Sequence, residues 1–117
     1  MSAELSGDSS PSIAVLNWGT EDSLGNQVSS QLEFHEQYYI EYQILGEYIS
    51  RHKLNDQRIP ASIVGQPKRE VVEGNTLTFT IQVYGDTYTV SIDYTNDRLI
   101  RIVSNETGEV IERSASA

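Results

Sequence analysis

The chain contains no cysteine, which removes disulfide scaffolds, thiolate metal sites and cysteine nucleophiles together. It has three prolines, one tryptophan and one methionine, and nothing close to the apolar run of about 18 residues that spans a bilayer. Lysine and arginine are missing altogether from residues 1–50, which hold eight acids: Glu4, Asp8, Glu21, Asp22, Glu33, Glu36, Glu41 and Glu47. Over the whole chain 8 Lys and Arg oppose 17 Asp and Glu, for a net charge of −9. Direct binding of nucleic-acid phosphates is therefore not expected, and neither is a membrane as partner. Met1 to Pro11 lacks both a basic stretch and an apolar run, so a secretory leader is not expected and the expected location is cytoplasmic.

What is present is globular: 38% hydrophobic and 21% charged over 117 residues, enough for one core and too little for two. The expected division is a polar tail over 1–11, a single domain over 12–113 and a tail over 114–117. Ser12 to Trp18, with Ile13, Ala14, Val15 and Leu16 together, reads as a strand, and Gly19 to Gln27 as a loop. Ser30-Gln-Leu-Glu33 has the spacing of a capping box and predicts a helix from Ser30 to Lys53. Phe34, Tyr38, Tyr42, Leu45 and Ile49 fall within about 80° of one another on it, with His35, Tyr39 and Gly46 beside them. That face is expected to be buried, and Gly46 to allow close approach of a sheet.

Strict alternation marks the rest. Leu77, Phe79, Ile81 and Val83 point one way from Thr76 to Tyr84, and Tyr88, Val90, Ile92 and Tyr94 follow in the next segment. A hairpin turning on Gly85-Asp86 pairs Val83 with Tyr88, Ile81 with Val90, Phe79 with Ile92 and Leu77 with Tyr94, apolar against apolar throughout. Gly74-Asn75 suggests a second turn, from a strand near Lys68 to Glu73, with Val72 opposite Leu77. A three-residue loop Asn96 to Arg98 sets Ile100 against Tyr94 and Ile102 against Ile92, and Asn105 to Gly108 turns toward Val110 and Ile111. The fold class expected is α+β, with one long amphipathic helix packed on an antiparallel meander sheet of four to five strands.

Catalytic patterns are hard to find. His35 and His52 lie 17 residues apart, about 25 Å along a helix, too far to share a metal. No Walker loop, nucleophile elbow or Ser-x-x-Lys pairing occurs. No catalytic residue, metal ligand or cofactor is assigned, and the chain is not expected to be an enzyme. Of the seven tyrosines, Tyr38, Tyr42, Tyr88 and Tyr94 are expected to fill the helix–sheet interface rather than a ligand pocket. Trp18 is a candidate contact residue, since tryptophan is frequent in binding hot spots.

The stretch from Lys68 to Val83, following a long helix, resembles the first hairpin of the cystatin family, whose loop carries a Gln-x-Val-x-Gly motif. Here the matching positions are Glu70, Val71, Val72, Glu73 and Gly74, with Glu70 in place of the Gln and Glu73 an added charge. Gly7 matches the family's N-terminal glycine, while the turns at Asn96–Arg98 and Asn105–Gly108 lack its tryptophan. The resemblance implies loop insertion into the cleft of a papain-like cysteine protease. PepSY and NTF2-like layouts share the helix-plus-meander order.

The function expected is thus a non-catalytic protein-binding module, an inhibitor acting on another protein through Val71, Val72, Glu73, Gly74, Asn75 and Trp18. Two alternatives stand beside it. An acidic surface over Glu33, Glu36 and Glu47 could act as a nucleic-acid mimic of the phage type, occupying a partner's nucleic-acid site. A cavity between helix and sheet could bind a small ligand.

Overall fold

The computed structural model describes residues 23–54 and 59–114. Helix α1 runs Ser23–Ser29 and helix α2 Phe34–His52. Five strands follow: β1 Ser62–Glu70, β2 Thr76–Val83, β3 Asp86–Asp93, β4 Leu99–Ser104 and β5 Val110–Arg113. They form one antiparallel sheet in the order β1-β2-β3-β4-β5, a meander with every strand beside its chain neighbour. The α+β class and the five-stranded meander are those expected. The expected strand 12–18, Trp18 and the 1–11 tail lie outside the described residues.

The helical region differs in two ways. Residues 23–27, expected as loop, belong to α1, which buries Val28 and packs on β1. The long helix starts one turn later than Ser30: Glu33 is the N-cap, and its N–H donates to Glu36 Oε1 at 2.8 Å. Glu36 therefore serves the role expected of Glu33. At the other end Lys53 takes the left-handed conformation (φ 56°, ψ 46°), and its N–H donates to the Ile49 carbonyl.

The face of α2 turned to the sheet is the expected one only in part: Leu45 is buried and Ile49 packs against the core as expected, but the aromatic residues of that stripe do not. Ile40, Ile44, Leu45 and Tyr48 are buried together with Glu36, whereas Phe34, Tyr38 and Tyr42 are 86%, 51% and 64% exposed. The helix has two apolar stripes, and the aliphatic one has the shape to settle on the β-branched sheet surface formed by Ile81, Val90, Ile92 and Ile102. Gly46 is exposed, and a side chain there would meet nothing within 4 Å, so no strand approaches it.

The alternation of β2 and β3 is as expected, with Leu77, Phe79, Ile81, Val83, Tyr88, Val90 and Ile92 all buried on the helix side. The register is shifted by two. Ile81 pairs with Tyr88, Phe79 with Val90, Leu77 with Ile92 and Val83 with Asp86, so the turn is Tyr84-Gly85. Tyr84, rather than the glycine, carries the positive φ of 55°. The β3–β4 pairing shifts alike: Ile100 faces Ile92 and Ile102 faces Val90. A slide of two residues keeps every side chain on its face, which is why apolar matching does not detect it.

Strand β1, outermost among the described strands on its side, ends at Glu70, short of the expected Glu73, and Arg69 rather than Val72 lies opposite Leu77. Between Val64 and Lys68 it carries four residue steps against two on β2. That irregularity holds Gly65, at φ 78°, and Pro67, which has no N–H to give to a strand ladder.

Candidate functional site

In an antiparallel meander, alternate loops share an end. The β1–β2 loop, Val71 to Asn75, and the β3–β4 loop, Tyr94 to Arg98, therefore lie together. The first turn of α2 joins them, because Arg98 donates from Nε and Nη2 to the Glu36 carboxylate at 2.5 and 2.6 Å. Burial alone would raise the Glu36 pKa, but these bonds, the Glu33 N–H and the charge of Arg98 hold it below the ordinary carboxylate value.

Arg69 ties the same end together. Its Nε donates to Asn75 Oδ1 at 2.7 Å and its Nη1 to Gln31 Oε1 at 2.5 Å, and its guanidinium lies 4.4 Å from the Tyr94 ring centre. Arg98 lies 4.6 Å from that ring. Tyr94 in turn donates its hydroxyl to the Gln31 carbonyl at 3.1 Å and its N–H to the Asn75 carbonyl at 2.8 Å. Three loops are thereby fixed to one another by charge-assisted bonds and cation–π contacts.

On this fixed base Val71 and Val72 stand 63% and 82% exposed, with Glu73 and Gly74 exposed beside them. Gly74 has φ 129°, a backbone state that favours glycine and lets the loop return to β2. Asn75 is half-buried as an anchor rather than a tip residue. The structure thus joins five of the six expected contact residues in one loop; Trp18 lies outside the described residues. Glu33 and Phe34 are exposed at the same end. Phe34 was missed because its spacing matched a buried stripe.

The expected acidic surface is broken up. Glu33 is exposed, but Glu36 is 2% exposed and bound to Arg98. Glu47 accepts from Arg51 Nε at 2.8 Å and from the Tyr88 hydroxyl. Glu47 belongs to a cluster at the opposite end, where Asp86 Oδ2 meets Arg51 Nη2 at 2.9 Å and His52 Nε2 at 2.8 Å. The Arg51 bonds hold the Glu47 pKa down, and the His52 bond, opposed by burial, helps hold Asp86 down. Burial and the neighbouring Glu47 push the Tyr88 hydroxyl well up. Two carboxylates, a guanidinium, an imidazole and a phenol are thus bonded to one another in this cluster. What it does is fasten the C-terminal turns of α2 to β3.

His35, Glu36, Tyr39, Arg98, Ile100, Arg113 and Ser114 line a crevice of about 20 Å³, room for one water and not for a metabolite. No described helix is long and apolar enough to cross a membrane. Neither a family model, a curated protein nor a solved structure matches this chain. The architecture established is that of a helix packed on a five-stranded antiparallel sheet.

Proposed function

We propose that the protein is a non-catalytic binding module that inhibits another protein by placing the Val71–Val72 tip in an apolar cleft. The observation that carries this reading is a pair of adjacent exposed valines on a loop whose base is bonded to two other loops. The valine side chains carry no polar group whose desolvation would oppose burial, and a loop already fixed loses little entropy on binding. The cystatin-like resemblance falls on the same residues, Glu70 to Gly74.

The competing nucleic-acid-mimic reading draws on the net charge of −9. It is weakened by the internal pairing of Glu36 and Glu47. Capture of partners by tagged protein, quantified by mass spectrometry at low and high salt, separates the two. Insertion predicts a partner lost with Val72→Asp, retained with Glu33→Lys, and little affected by salt. Capture that survives Val72→Asp and collapses with salt or with Glu33→Lys overturns the proposal in favour of the mimic.

A further inference from the structure

Phe34, Tyr38 and Tyr42 form one row along the outer side of α2, spaced four residues apart and all exposed. The rings of Tyr38 and Tyr42 stack, with centres 6.0 Å apart and planes inclined by 20°. Glu41, three residues after Tyr38 and beside Tyr42, lies on the border of this row and is half-buried. Among the described residues its carboxylate is met only by the Gln37 amide, at 3.2 Å. Burial pushes the Glu41 pKa up, with the Gln37 bond a partial offset, and among the described residues no Lys or Arg pairs with this carboxylate as Arg98 does with Glu36 and Arg51 with Glu47.

The rest of the molecule shows what such a surface holds. Arg69 and Arg98 lie over Tyr94, and Arg113 lies 5.0 Å from the centre of the Tyr39 ring. The outer row has the rings and the carboxylate of such an arrangement, and residues 1–50 offer it no Lys or Arg. We infer that the Phe34–Tyr38–Tyr42 face, with Glu41 at its border, docks a partner segment that carries arginine or lysine among apolar residues. The apolar part covers Phe34, while a cation lies on the Tyr38–Tyr42 stack within reach of Glu41. A second copy of the chain fits poorly, since two such faces brought together place Glu41 of each near the other with no cation between them. This surface is separate from the Val71–Val72 tip, and its failure would leave the reading of that tip intact.

The test uses the full-length, 15N-labelled protein and two short amphipathic peptides, one of leucine and arginine and one with every arginine replaced by glutamate. The expected result is that the arginine peptide shifts amide signals between Phe34 and Leu45 and the glutamate peptide does not. Tyr38→Ser/Tyr42→Ser, a surface change, is expected to weaken binding by about tenfold, and Glu41→Gln to weaken it less. Attraction to net charge alone would leave the serine variant binding as well as wild type, which overturns the inference. So would a dimer that this variant dissociates, or contacts in the free protein between the Tyr38 ring and methyl groups of Ile13 to Leu16.

Discussion

Replacing Arg98 by methionine keeps the aliphatic stem and removes the guanidinium from Glu36. The carboxylate is 2% exposed and accepts from two Arg98 nitrogens and the Glu33 N–H. Without Arg98 it stays buried as an anion with one of its three donors. Breaking a buried pair from one side costs about 3–5 kcal/mol, and because a third of Arg98 is open to water the lower end, about 3 kcal/mol, applies here. For a domain of this size that corresponds to a fall of roughly 12–15 °C in Tm. The pH dependence adds a sharper test. In the wild type the Glu36 pKa is depressed, so its stabilisation is complete above the unfolded value of about 4.3 and disappears as pH falls through the lower folded value. In Arg98→Met burial acts unopposed by the guanidinium and raises the pKa. The variant then gains a proton on Glu36, and recovers relative to wild type, as pH falls from 7 toward 4.5. Urea unfolding followed by circular dichroism at both pH values measures the gap, and Glu36→Gln/Arg98→Met should restore most of the loss at pH 7. A gap below about 1 kcal/mol at pH 7, or one that does not narrow with acid, refutes the assignment of this pair as the clamp on the start of α2.

At the opposite end, Tyr88→Phe removes a hydroxyl shared by Glu47 and Arg51 and should cost about 1 kcal/mol in urea unfolding. Because the folded Tyr88 pKa is raised, its contribution holds below the unfolded value of about 10 and is lost above it. Ultraviolet titration of wild type against Tyr88→Phe should place the phenolate signal lost in the variant at the alkaline end of the curve. Gly46→Ala, on an exposed helical site with free space, should stabilise by about 1 kcal/mol, whereas Gly74→Ala, at φ 129°, should destabilise by about 1 kcal/mol or more. Thermal melts of the two variants check both signs. Val72→Asp should change stability by no more than about 0.5 kcal/mol, so any loss of capture reports contact rather than folding.

The sheet was legible because period-two alternation fixes which face each residue takes, and Leu77 to Ile92 has hardly an exception. Register was less legible: sliding Phe79 from Ile92 to Val90 keeps an apolar pair, and only the backbone of Tyr84, Asp97 and Arg98, all at positive φ, distinguishes the alternatives. On α2 the aromatic stripe outscored the narrower row of Ile40, Ile44 and Tyr48, because hydrophobicity alone does not weigh how well a side chain packs on a β-branched surface. Capping-box spacing fitted both Ser30–Glu33 and Glu33–Glu36, and the choice was settled by Arg98, 62 residues away from Glu36. The Val71–Val72 tip was visible as a short apolar pair beside a turn. Its base was not, since Gln31, Arg69 and Tyr94 meet only once the meander has formed.

Contact by the Val71–Val72 tip is tested most directly by site-specific photo-cross-linking. A benzophenone side chain at position 72, and in a separate protein at position 112 on the sheet face turned away from α2, is irradiated in extract and the adducts identified. The expected result is a discrete adduct from position 72, competed by excess wild-type protein, and none from position 112. Adducts from 112 with none from 72 would contradict the assignment of the loop as the contact surface.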